Sequence, residues 1–173
     1  MSAESLRAKI REVPDFPKPG ILFYDITTLI REPAAFREAI DLMTEPFRDA
    51  KIEIVVGMES RGFIFSAPMA LRLEAGFVPV RKLGKLPAET ISVEYELEYG
   101  TNTLEIHRDA IVPGQRVLIV DDLLATGGTV LGTIDLIEQL KGEVVGLSFL
   151  VELAFLKGRD RLDGHRINSV IAY

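Results

Sequence analysis

The chain has 173 residues, 47% of them hydrophobic and 27% charged, with a net charge of −6 and no cysteine. That is the length of one ordinary domain with material for a buried core, in the balance of a globular rather than a disordered chain. Disulfides and thiolate metal sites are excluded, and the acidic balance argues against a protein that grips nucleic acid through its overall field.

The opening residues, MSAESLRAKIREV, are polar and amphipathic and do not read as a signal peptide. In Phe16–Asp25 (FPKPGILFYD), prolines and Gly20 enforce an ordered, extended approach to the apolar run Ile21-Leu22-Phe23. Glu32-Pro33 starts a helix, in which Phe36, Ile40, Met43 and Phe47 recur at spacings of four, three and four. Ile52–Val56 is a buried strand, and Gly57–Gly62 (GMESRG) is a tight turn into a helix over Phe63–Glu74. A short strand, Phe77–Val80, leads into the basic run Arg81–Pro87 (RKLGKLP). From Ser92 to His107 apolar and polar residues alternate around Gly100-Thr101-Asn102, the pattern of an antiparallel hairpin. Val117–Val120 is a strand ending in Asp121 and Asp122, and a helix runs from about Thr129 to Lys141. Its apolar face is Val130, Ile134, Ile137 and Leu140, with Gly142 as the residue that ends it. Val144–Val151 is the last strand. The least polar stretches, Phe63–Leu71 and Val144–Val151, are far shorter than the ~20 residues that span a bilayer. Strands that alternate with helices and are apolar throughout predict an α/β fold: a mostly parallel central sheet flanked by helices, with an antiparallel flap at about 82–107 on a single 1–173 domain. Chemistry on such a sheet belongs at the carboxyl ends of the strands.

The strongest motif is VLIVDDLLATGGT, Val117–Thr129. Ala125-Thr126-Gly127-Gly128-Thr129 opens a helix, where backbone N–H groups, hydroxyls and the helix dipole suit a phosphate. Asp121 and Asp122 would repel that phosphate, so ribose hydroxyls are their natural partners. A plain strand-to-helix turn with a capping aspartate is the alternative. No lysine follows the glycines, so the segment is neither a dinucleotide fingerprint nor an ATP-binding loop. Arg81, Lys82 and Lys85 suit a pyrophosphate, or else form a solvated basic loop. Phe23 is suited to stacking on a flat base, or else to core packing. Glu98, beside Tyr99 in the flap, would close over a substrate, or else lie on an exposed acidic hairpin. His107 and His165 lack a metal-ligand pattern and are read as surface or structural residues.

The acid pair followed by T-G-G-T resembles the phosphoribosyl-pyrophosphate signature of the type I phosphoribosyltransferases. Pro14–Ile21 (PDFPKPGI), Glu59–Phe63 (ESRGF), RKLGKLP, Leu97–Gly100 (LEYG) and Leu104–His107 (LEIH) extend the resemblance, from about Val13 to Arg159, to the adenine phosphoribosyltransferase family. The resemblance implies transfer of phosphoribosyl from phosphoribosyl pyrophosphate to adenine, giving AMP and pyrophosphate, with Mg2+ carried mainly by the pyrophosphate and waters, in a cytoplasmic homodimer with no nucleic-acid or membrane partner. It implies that Ala125–Thr129 hold the 5′-phosphate and that Asp121 and Asp122 hold the ribose. Arg81 and Lys85 would meet pyrophosphate, the arginine often across the dimer interface, together with a strained Glu59-Ser60 peptide. Leu22 and Arg61 would read the adenine edge through their backbone, Phe23 and Leu153 would flank the ring, and Glu98 would be the catalytic flap acid. A six-oxopurine enzyme and a non-catalytic phosphoribosyl-pyrophosphate sensor are the other readings. The segment after Asp160 falls outside the resemblance.

Overall fold

The computed structural model describes residues 2–96 and 101–173. Glu98 and the hairpin turn at Gly100 therefore lie outside the described residues. A short helix α1 (Ala3–Arg7) precedes a two-stranded antiparallel ribbon, β1 (Arg11–Pro14) with β2 (Leu22–Asp25). Helices α2 (Thr27–Ile30) and α3 (Pro33–Thr44) follow, and then β3 (Ile54–Met58), α4 (Gly62–Arg72) and β4 (Gly76–Lys82). The hairpin strands are β5 (Thr90–Glu96) and β6 (Thr101–His107). β7 (Arg116–Leu124), α5 (Gly128–Gln139), β8 (Glu143–Glu152) and β9 (Ile167–Ala172) complete the chain.

Seven strands form one sheet in the order β5-β6-β4-β3-β7-β8-β9. The five from β4 to β9 are parallel, and β6 and β5 add on antiparallel. This is the mostly parallel sheet expected, and the hairpin extends its edge rather than standing beside it. One face buries Val55, Leu118, Val120 and Leu150 against Ile40 and Met43 of α3 and Phe65 and Met69 of α4. The other buries Val56, Ile119, Leu147 and Phe149 against Val130, Ile134 and Ile137 of α5. Strands covered on both faces need apolar residues at every position, which is why they read as unbroken runs.

The structure moves several boundaries. β7 continues through Asp121 and Asp122 to Leu124, because its ladder with β8 persists to the pair Leu124 and Glu152. Phe47 lies beyond α3 in a 3-10 turn, Glu45–Phe47, yet is fully buried. Lys141, not Gly142, takes the left-handed conformation (φ 63°) that ends α5. Gly142 follows it, donating its N–H to the Ile137 carbonyl at 2.9 Å, where a Cβ would come within 2.8 Å of the Ile137 side chain. The glycine is needed there for close approach.

Phe16–Asp25 is largely the turn and second strand of the β1–β2 ribbon. Phe16 packs edge-on against Phe23 at 5.1 Å, and the Phe16-Pro17 bond is cis. Asp25 locks the ribbon's end. Thr27 bonds it through its hydroxyl and its N–H (2.9 Å), and the Arg11 guanidinium bonds it at 2.5 and 3.0 Å, lowering its pKa to about 2. An acid whose folded pKa is depressed adds stability above its unfolded value of 3.8 and loses it as pH falls toward the folded value. Asp25→Asn is therefore expected to cost about 1–2 kcal/mol at pH 7, the exposure of Arg11 keeping it modest, and distinctly less at pH 3. Urea unfolding at the two pH values measures the difference.

Candidate active site

Four strand ends converge. The loop after β7 is short: Gly127 takes φ 82° and α5 begins at Gly128. Only a residue without a Cβ holds that conformation cheaply, and it turns the first N–H groups of α5 into a recess. The recess, of about 70 Å³, is lined by Ala125, Thr126, Gly127, Gly128 and Thr129, with Asp121, Leu123 and Val130. The loop is backed by residues near the chain's end: Gly158, to which sequence reasoning gave no role, and Arg161, in the segment it left unassigned. The 3-10 turn Gly158–Leu162 presses Gly158 so close that a Cβ there would sit 2.1 Å from the Ala125 carbonyl oxygen. Arg161 donates from Nη1 to the Thr126 carbonyl at 3.1 Å. Arg159 grips Glu152 at the end of β8 with bonds of 3.0 and 2.6 Å.

A larger cleft of about 460 Å³ adjoins the recess, with Asp121, Leu123, Ala125 and Thr129 common to both. Glu59, Ser60, Arg61, Asp122 and Lys82 also line it, as do Tyr95, Asn102 and Leu104 of the hairpin. The two acids differ. Asp122 is buried and its carboxylate forms an ion pair with Arg61, Nε to Oδ2 at 2.8 Å, whereas Asp121 Oδ1 accepts the Asp122 N–H at 2.9 Å. Burial first, and then the neighbouring Asp122 charge, pushes the Asp121 carboxyl well above the usual carboxylate range. Within the protein Asp122 is therefore paired with Arg61, while Asp121 has one backbone N–H and is left under strain by its burial and its neighbour's charge.

Beyond Asp122 lies a third compartment, about 100 Å³ and mostly apolar. Leu22, Phe23, Arg61 and Leu153, each assigned to a base from sequence, all line it, with Ile21, Tyr24, Ile26, Asp122, Leu123 and Val151. The Arg61 guanidinium lies 5.5 Å from the Phe23 ring centre, joining the ribbon to the acid pair. The ribbon is also fastened to the tail. Tyr24 stacks on Tyr173 at 3.9 Å, and the Ala154 N–H bonds the Tyr173 carbonyl next to Leu153.

The Glu59-Ser60 peptide bond is cis and sits at the end of β3 on the cleft. Glu59 turns its carboxylate toward the basic loop, accepting Arg81 Nη2 at 3.2 Å and the Lys82 N–H at 2.9 Å. Burial raises its pKa, but these bonds and the charges of Arg81 and Lys85 outweigh that and leave it lowered. Among the described residues of this one chain, Arg81 and Lys85 do not line the cleft, whereas Lys82 does. Successive residues of a strand face opposite sides, and Arg81 and Lys82 end β4 together. A run of cations in sequence does not say which one points inward. Tyr95 and Asn102 were missed for that reason, and Lys82 was read only as one of three cations in the run, since their orientation depends on register.

This geometry has close counterparts. Residues 25–166 match the family model described as a phosphoribosyl transferase domain. The adenine phosphoribosyltransferase of Koribacter versatilis is 57% identical over 98% of this chain and 93% of that protein. The crystal structure of the enzyme from Thermoanaerobacter pseudethanolicus superposes with a TM-score of 0.96 at 53% identity, covering 99% and 100% of the two chains. That of the Saccharomyces cerevisiae enzyme, solved with D-2,5-dideoxy-2,5-imino-altritol 1,6-bisphosphate and adenine, gives 0.92 at 42% identity over 97% of both. Identity of this order along nearly the whole of both chains means that the chain belongs to the adenine phosphoribosyltransferases, within the phosphoribosyl transferase family.

Proposed function

We propose that the chain transfers the 5-phosphoribosyl group of phosphoribosyl pyrophosphate to adenine, giving AMP and pyrophosphate. The observation that carries this is the row of three adjoining compartments: a flat apolar pocket, a cleft holding two acids, and a recess at a helix N-terminus. A nucleoside monophosphate has the same sequence of base, ribose and phosphate. In this reading Ala125–Thr129 take the 5′-phosphate, and Asp121 and Asp122 the ribose hydroxyls. Leu22, Phe23, Arg61 and Leu153 take adenine, and Glu59-Ser60, Arg81 and Lys85 take pyrophosphate. N9 of adenine bonds to C1′ as the C1′–O bond to pyrophosphate breaks, with loss of the imidazole proton. The ribose passes through an oxocarbenium-like state, so the protein contributes positioning, charge stabilisation and exclusion of water. Glu98 is the catalytic acid of this reading, acting beside the purine imidazole ring in that state.

Magnesium fits this site as a companion of the substrate. Asp122 is engaged by Arg61, and Glu59 by Arg81 and Lys82. The cleft therefore offers pyrophosphate oxygens and waters as ligands more readily than free carboxylates. When bound there, magnesium neutralises the leaving pyrophosphate.

The test is direct: purified protein with phosphoribosyl pyrophosphate, magnesium and each purine in turn. AMP and pyrophosphate are expected from adenine. IMP or GMP in their place would move the reading to a six-oxopurine enzyme, and binding without turnover would make the chain a sensor.

The same reading includes a homodimer in the cytoplasm. Ile64 and Leu71 lie two turns apart on one side of α4, Leu71 is 82% exposed, and Phe77 and Leu83 are exposed on or just beyond β4. An apolar band of this kind beside the basic loop supports pairing through that side. Leu71→Glu is expected to shift the protein from dimer to monomer in sedimentation at micromolar concentration and to lower activity with it. A monomeric wild type would remove the dimer from the proposal.

A further inference from the structure

Glu105 is a buried acid outside the residues that line the three compartments. It lies on β6, opposite Arg81 of β4 and Ser92 of β5, and is 3% exposed. A carboxylate taken out of water costs several kcal/mol unless its oxygens are bonded. Here the bonds come from one place. Oε1 accepts the N–H groups of Lys85 (3.0 Å) and Leu86 (2.9 Å), and Oε2 accepts the Thr90 hydroxyl at 3.4 Å. The loop is tied at its other end by Arg81, which bonds the Lys85 carbonyl at 3.3 Å and Glu59 at 3.2 Å. Lys85 is thereby held through both its N–H and its C=O. Burial pushes the Glu105 carboxyl up, but the loop N–H groups and Thr90 more than offset this, leaving it lowered and ionised at neutral pH.

We propose that Glu105 is a positioning residue for the pyrophosphate side of the reaction, fixing the backbone of Arg81–Pro87 so that its cations meet the leaving group in one geometry. This rests on the reading that Arg81 and Lys85 bind pyrophosphate, and the test separates the two. Glu105→Asp keeps the charge but draws the carboxylate back by one methylene from Lys85 and Leu86. It is expected to raise the KM for phosphoribosyl pyrophosphate, and for pyrophosphate in the reverse reaction, about tenfold, the scale of one lost charge-assisted bond. The Kd for AMP and the KM for adenine stay within about twofold, because neither ligand reaches the loop. Glu105→Gln, whose amide oxygen still accepts both N–H groups, is expected to remain within about threefold throughout.

Lys85→Ala is the companion measurement. Should it raise the pyrophosphate KM while Glu105→Asp leaves it unchanged, the positioning role is wrong and the pyrophosphate reading stands. An unchanged KM in Lys85→Ala overturns the reading, and the role of Glu105 with it. A general loss in Glu105→Asp, with AMP affinity falling as far as pyrophosphate affinity, also overturns the proposal, since it marks a merely structural residue.

Discussion

Gly127→Val and Gly158→Ala are each expected to weaken AMP binding by on the order of a hundredfold while leaving the protein folded. Gly127 holds φ 82°, a region that a β-branched residue reaches only at a cost of roughly 1–3 kcal/mol, and its new Cβ would lie 3.0 Å from the Gly158 carbonyl oxygen. Gly158 is the sterner case. Its Cβ would meet the Ala125 oxygen at 2.1 Å and the Gly127 nitrogen at 3.1 Å, all of it backbone. Nothing there rotates out of the way, so the loop itself must move. A displacement of about an ångström takes several N–H donors out of line with the phosphate together, which is the scale of a hundredfold loss. Calorimetry with AMP measures the loss, and circular dichroism checks the fold. Wild-type affinity in Gly127→Val would withdraw the recess as the phosphate site. Wild-type affinity in Gly158→Ala would show that the tail does not shape it.

Gly158 also marks where the sequence stops being readable. VLIVDDLLATGGT could be interpreted because its chemistry is local: strand, acids, glycines and helix start follow one another within 13 residues. The α5 face and the apolar strands were legible for the same reason, since periodicity is a property of neighbours. The contact of Gly158 with Ala125 joins residues 33 apart, and nothing in LKGRD announces it. β9 escaped notice because INSVIA at a sheet edge mixes polar with apolar residues, and only its parallel ladder with β8 makes it a strand. The β1–β2 ribbon was hidden by prolines that read equally well as an extended approach. Glu105 was hidden differently. LEIH served as part of a family resemblance, but the reason for its acid lies on β4 and in the loop after it. Register decided that, as it decided which cation faces the cleft.

Adenine is expected to be used in preference to hypoxanthine by on the order of a hundredfold or more in kcat/KM. The side chains around the base pocket are apolar apart from Arg61, Asp122 and the Tyr24 hydroxyl, so much of the reading of the base edge falls to backbone groups. Leu22 is placed for it. In the ribbon it stands opposite Pro14, which has no N–H. An antiparallel ladder bonds a carbonyl only to the residue directly opposite, so the Leu22 carbonyl is claimed by no donor from β1. An exocyclic amino group, such as N6 of adenine, supplies a donor to a carbonyl in that position. The O6 of hypoxanthine offers another acceptor, and its N1–H meets a donor where adenine offers a lone pair. Each reversed contact leaves buried polar groups unpaired at roughly 1–3 kcal/mol, so two of them suffice for the expected ratio. Competition between the two bases at equal concentration, with AMP and IMP separated and counted, measures it. Equal formation of IMP would leave the phosphate recess and the fold intact and would show that Leu22 does not read the base.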